Sequence, residues 1–186
     1  MPQKILLVTG SPRKSGNTHL LADAFENGAL ASGNQVFRFD AGKAQINGCI
    51  GCSYCLSHKG KCTQEDDMQQ AYQYLRTCDV LVLAAPVYFF DFSAQMKVFI
   101  DRLYCGLSIH SSSENPFTIK AAALLLVQEL TDPAVAESAI KVYQKTAAYA
   151  SWKDLGIILV PGVARAGAIA NNPLLTTAYE LGASSS

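Results

Sequence analysis

The chain has 186 residues, 49% of them apolar, with six cysteines and fifteen basic residues balanced by fifteen acidic ones. A chain of this length buries roughly 70% of the surface its unfolded form exposes, so one domain over 1–186 is expected and no disulfide scaffold is required. Zero formal charge provides no field to draw the protein to nucleic acid or an anionic membrane, which leaves small molecules as the expected partners.

The first apolar run, Ile5 to Val8, is far shorter than a signal-peptide core, and nothing later approaches the ~20 residues of a membrane-spanning helix. A cytoplasmic location is therefore expected, where thiols stay reduced. Ile5 to Thr9 reads as a strand buried on both faces. Leu20, Leu21, Ala24, Phe25, Gly28 and Ala29 recur at helical spacing, and Gly33-Asn34 ends that helix. Val36, Phe37 and Phe39 suggest a second strand, followed by a cysteine-rich stretch and a helix predicted from about Glu65 to Arg76.

Asp79 to Ala85 is the next buried strand, ended by Pro86, and Ser93 opens a helix with Met96, Phe99, Ile100 and Leu103 on one face. A polar loop at 108 to 118 follows. Lys120 to Val127 and Leu155 to Val160 supply two further strands around a helix predicted from about Pro133 to Trp152, and one short helix remains in 173 to 186. Strands that are apolar throughout and alternate with helices indicate an α/β fold: a doubly wound, five-stranded parallel sheet of order 2-1-3-4-5, flavodoxin-like. A ligand then sits at the switch point between the first and third strands.

The loop after the first strand, GSPRKSGNT at 10 to 18, runs into a helix whose leading amides lack intrahelical partners and carry partial positive charge. Ser11, Ser15, Asn17 and Thr18 add donors, Arg13 adds a cation, and Gly16 lets the backbone approach a phosphate. There is no G-x-G-x-x-G and no Gly-Lys-Ser/Thr, so a monophosphate fits better than a dinucleotide or a nucleoside triphosphate. The plainer reading of Ser15, Asn17 and Gly10 is helix capping and a turn. After the third strand, Pro86-Val87-Tyr88-Phe89-Phe90-Asp91 offers aromatic faces for a flat ring, although at least one of these aromatics is expected to fill the core. Together the two loops describe flavin mononucleotide.

GSPRKSGNT, APVYFF and SAQMKVFIDR resemble the NAD(P)H-dependent FMN reductase branch of the flavodoxin-like superfamily, and the cysteine loop followed by Asp66-Asp67-Met68 resembles its iron-sulfur flavoprotein subgroup. The resemblance is good over residues 4 to about 105. It implies FMN held by Ser11, Arg13, Ser15, Gly16, Asn17 and Thr18 at the phosphate and flanked by Pro86, Val87, Tyr88 and Phe89. It also implies NAD(P)H as co-substrate, a small acceptor such as a quinone or flavin, and a homodimer or homotetramer. The family commonly has Gly in a third flavin-contacting loop after the fourth strand, where this chain has Gln128-Glu129-Leu130-Thr131. The rival reading is an electron carrier working with a protein partner.

The stretch INGCIGCSYCLSHKGKC places Cys49, Cys52, Cys55 and Cys62 at gaps of two, two and six residues. The subgroup resemblance favours a 4Fe-4S cluster on these four. A loop that binds no metal, zinc, and a redox thiol pair stay open behind it. Zinc sites usually come as two separated C-x-x-C knuckles, whereas three cysteines overlap here. Cys78 and Cys105 read as small core residues, His58 as a solvated loop residue, and His19 and His110 as surface residues. Lys97 is spaced for a helical ion pair with Asp101. No side chain is assigned as a catalytic acid or base, because a flavin carries hydride chemistry itself.

Overall fold

The computed structural model describes residues 2–108 and 116–185, so His110 and most of the expected polar loop lie outside the described residues. In chain order the elements are β1 (Lys4–Thr9), α1 (Asn17–Ala31), β2 (Gln35–Asp40), α2 (Tyr54–Ser57), α3 (Met68–Leu75), β3 (Val80–Tyr88), β4 (Asp91–Phe92) and α4 (Ala94–Arg102). There follow α5 (Tyr104–Leu107), β5 (Ala121–Val127), a 3-10 turn (Pro133–Ala136), α6 (Glu137–Tyr149), β6 (Lys153–Val160) and α7 (Leu174–Ala183).

The main path of the sheet is β2-β1-β3-β5-β6, all parallel. This is the expected 2-1-3-4-5 order with one addition. The two-residue β4 pairs antiparallel with the end of β3 and makes a sixth strand that the sequence reading did not separate.

Every residue of β5 and all but the first of β1 are buried, which requires cover on both faces. Alternation supplies it. Ile5, Leu7, Val82 and Leu125 pack with Leu21 and Phe25 of α1 on one face, while Leu6, Val8, Leu83 and Leu124 pack with Leu75, Phe99 and Tyr143 on the other. Among the described residues no helix is long and apolar enough to cross a membrane.

Three helix boundaries differ from the periodic reading. The helix expected from Glu65 starts at Met68, because the Asp66 carboxylate accepts from the Met68 N–H and the Asp67 carboxylate from the Gln45 N–H, tying the turn back to the preceding loop. The segment from Pro133 begins as a 3-10 turn whose entry is capped by Asp132, and helical geometry ends at Tyr149. Ser93 caps α4 through its Oγ, which accepts from the Met96 N–H, and the chain re-forms a short α5 after Leu103.

The tail helix α7 lies directly on α1. A Cβ on Gly28 would stand 1.9 Å from Tyr179 O, and one on Gly182 would stand 2.0 Å from Phe25 O, so the two backbones meet where neither helix has a side chain. Gly182→Ala gains roughly 1 kcal/mol of helix propensity but forces two backbones apart, an overpacking cost of about 1–3 kcal/mol. The expected outcome is a net loss of stability, read as a lower urea midpoint at unchanged slope. An unchanged or raised midpoint would show that the α1–α7 contact yields freely.

Candidate functional site

Because the main strands are parallel, their carboxyl ends share one edge of the sheet, and the loops leaving β1, β3, β5 and β6 meet there. The first loop, residues 10 to 16, is fixed from two sides. Ser93 Oγ donates to Gly10 O at 2.6 Å. Gly42, just past β2, lies so close that a Cβ there would stand 2.1 Å from Ser11 O. The loop enters α1 through Gly16 with no side-chain cap and no acidic residue in the first turn, which leaves the helix entry free of competing negative charge.

One cleft of about 110 Å³ unites all four of these loops. Ser11, Arg13, Gly16, Asn17 and Thr18 line it from the first loop, and Pro86, Val87 and Tyr88 line it from the end of β3. Ser15 and Phe89 do not line it. Ser15, at φ 53°, faces a neighbouring polar recess with Lys14 and His19. His19 is half-buried rather than a surface residue.

The β3–β4 hairpin explains Phe89. Val87 pairs with Phe92 and Tyr88 with Asp91, so Phe89 and Phe90 alone make the turn, both with positive φ (48° and 72°). Such two-residue turns favour Asn-Gly, and each bulky residue held there costs on the order of 1–3 kcal/mol. The turn leaves both aromatic rings exposed just beyond Tyr88, with Phe89 96% exposed.

The loop after β5 is built by a glutamine where the resemblance led one to look for glycine. Gln128 is buried, and its Nε2 donates to Leu130 O (2.8 Å) and Asp132 O (2.6 Å), folding the loop around its own carboxamide. Its Oε1 is buried without a partner among the described residues. Gln128 and Glu129 both line the cleft.

The sequence reading missed the loop after β6, from which Val163, Ala164 and Ala166 complete the wall. Asn17 holds this loop in place: its Nδ2 donates to Val163 O (3.0 Å) and Arg165 O (2.8 Å), and its Oδ1 accepts from the Ile169 N–H (3.4 Å). The Asn17 carboxamide is thus committed to building the site. The only sequence signal was Pro161-Gly162 opening a run of small residues, PGVARAGA.

The cysteine loop forms a second feature on the α3–α4 side. Its neck is clamped: the Asp66 carboxylate accepts from the Asn47 N–H (3.0 Å), and Gln64 Nε2 donates to Gly48 O (3.0 Å). Cys49, Cys52, Cys55 and Cys62 all border one cavity of about 430 Å³. All four thiols are free, with Cys49 and Cys52 exposed and Cys55 buried. Burial pushes the Cys55 thiol up, its own backbone hydrogen bond works against this, and Cys62, Cys49 and Cys52 push it further up.

Among the described residues no three His, Cys, Asp or Glu side chains meet tightly enough for a single metal ion. His58 is turned away, stacked on Tyr54 with ring centroids 3.6 Å apart. Cys105, expected in the core, is buried but also borders this cavity, and burial above all pushes its thiol up to about 11. Lys97 and Asp101 form the helical ion pair that their spacing indicated (2.6 Å).

Comparison with known proteins agrees with this geometry. A curated iron-sulfur flavoprotein of Archaeoglobus fulgidus is 41% identical over 100 residues, covering 54% of this chain and 45% of that protein. One from Methanocaldococcus jannaschii is 35% identical over 99 residues, covering 53% and 51%. The chain thus matches about half the length of these relatives. Among solved structures, an NAD(P)H:quinone oxidoreductase from Methanothermobacter marburgensis superposes with a TM-score of 0.79 over 98% of this chain and 96% of that one, at 16% identity, a likeness of fold. The family model described as NADPH-dependent FMN reductase matches residues 3–184, and the chain belongs to that family.

Proposed function

We propose that the protein is an FMN-dependent oxidoreductase that takes electrons from NAD(P)H or another reduced donor and passes them to a small acceptor, by way of a 4Fe-4S cluster in the cysteine cavity. The observation that carries the flavin part is the single cleft in which the phosphate-type loop, the aromatic hairpin and the β5 loop meet. Ser11, Thr18 and the leading amides of α1 would hold the phosphate, with Arg13 adding charge and Asn17 holding the opposite wall. Tyr88 and the hairpin would flank the ring, and the partnerless Gln128 Oε1 is an acceptor suited to a flavin N–H or O–H. When bound, the flavin supplies hydride acceptance and one-electron release. The chain's own part is to bind, orient and shield it.

The cleft volume of about 110 Å³ is well below the roughly 300–1,000 Å³ of a site that encloses a ligand. One chain therefore suits the phosphate end and leaves the ring half-covered, and the strained, exposed Phe89-Phe90 turn is an apolar surface that a second subunit would cover. This supports a homodimer or homotetramer. For the cluster, the support is four free thiols bordering one cavity, together with the names of the relatives.

Three outcomes are expected. FMN should bind in preference to FAD, and Thr18→Leu should weaken FMN about 10- to 100-fold while leaving riboflavin little changed, since hydrogen bonds to a charged group are worth about 1.5–3 kcal/mol. Asn17→Leu, by releasing the loop after β6, should weaken both ligands. Equal FAD and FMN affinity in a competition titration would count against the phosphate assignment. Anaerobically prepared protein should hold iron in the amount of one 4Fe-4S cluster per chain, and Cys52→Ala should abolish the iron while FMN remains; one zinc, or no metal, would remove the cluster. In sedimentation at micromolar concentration the FMN-bound protein should be oligomeric, and a monomer would refute the subunit cover.

A further inference from the structure

Arg102 is the largest fully buried side chain among the described residues, and it lines the cysteine cavity. Its side chain is 1% exposed, and the guanidinium forms a bidentate pair with Asp66, whose side chain is 5% exposed, at 2.6 and 3.2 Å. A third bond goes to Asn47 O (2.8 Å), and Nε donates to Tyr72 Oη (3.3 Å). The remaining one is unusual: Nη2 donates to Cys62 Sγ at 3.4 Å. Burial works against the charge, but the Asp66 hydrogen bond and Tyr72 outweigh it, so the guanidinium stays positive. Burial likewise holds Tyr72 in its neutral form.

An ion pair sufficient for holding the loop would need only Asp66 and Asn47. The extra N–H directed at a cysteine sulfur puts a fixed positive charge and a hydrogen bond on one wall of the cavity. For an iron-sulfur core, net charge, hydrogen bonds to sulfur and solvent exposure set the reduction potential. A core that gains one electron gains one negative charge, and a neighbouring cation favours that reduced state.

Building on the cluster reading above, we propose that Arg102 is the positioning residue that raises the potential of the core bound by Cys49, Cys52, Cys55 and Cys62, so that it accepts electrons singly from the reduced flavin. Asp66 opposes it: the carboxylate orients the guanidinium and partly cancels its charge. Arg102 is thus tuned by a partner that can be removed separately.

The test uses the FMN-loaded protein, prepared and reconstituted with iron and sulfide without oxygen, and follows the cluster's visible absorption in a redox titration. Arg102→Gln removes the cation, and the midpoint potential should fall; Asp66→Asn removes the opposing anion, and it should rise. The FMN affinity of both variants should stay at the wild-type value. Opposite shifts are the signature, because a residue that merely holds the loop would cause both variants to lose iron or to shift the same way, and either result overturns the proposal, as do unmoved potentials in both. If Arg102→Gln alone fails to hold iron, Asp66→Asn decides: a raised potential supports the assignment and an unmoved or lowered one refutes it. Wild-type protein that takes up no iron would refute the cluster reading itself, an outcome distinct from iron bound at an insensitive potential.

Discussion

The constraint on which the rest depends is that the central strands of this parallel sheet, β1, β3 and β5, are buried on both faces. β5 has no exposed residue, so no functional group can be presented from the face of that strand, and at the centre of the sheet chemistry is confined to what the strands release at their carboxyl ends. Four loops leave that edge. Their polar backbone needs partners, and the chain supplies them from side chains that reach across the edge: Ser93 to the first loop, Gln128 within the third, Asn17 to the loop after β6. The cleft at this edge is a by-product of satisfying those loops.

The cysteine loop, lying between β2 and α3, lacks a ladder to pair with and is closed by charge. Asp66 accepts from the Asn47 and Met68 amides and from Arg102; burial alone would raise its carboxyl, but these partners hold it below the usual carboxylate range. Removing one member of such a buried pair strands the other, at a cost of about 3–5 kcal/mol. A pair of this kind adds less to net stability than to uniqueness: it forces the loop to close in one way, with Cys62 beside Arg102 of α4.

What was legible from sequence was what repeats. The apolar runs at Ile5, Val80 and Ala121 and the helical spacing of Leu21, Phe25 and Ala29 report burial, and burial fixes sheet order and layer assignment. The first loop and Pro86 to Tyr88 were legible because each sits next to a strand already recognised. What was not legible came from pairings with no local period. Arg102 meets Asp66 36 positions away, and Asn17 reaches residues nearly 150 positions on. The Phe89-Phe90 turn hid for the opposite reason: its residues contradict the local preference for Asn-Gly, and only the pairing of β3 with β4 imposes the conformation.

That contradiction and the cysteine cavity follow one physical logic. Local rules are broken where the isolated chain leaves something uncompensated. Two phenylalanines in left-handed geometry expose apolar surface that water disfavours. Four thiols share one cavity in which Cys55 is pushed up partly by the other three, so gathering them as thiolates in that space requires positive charge. Arg102 supplies one such charge and spends much of it on Asp66. Under the cluster reading proposed above, the balance for four thiolates comes from the iron they hold, and the same argument applied to the hairpin assigns its cover to a second copy of the chain. Both deficits point to partners that sequence and fold together leave room for.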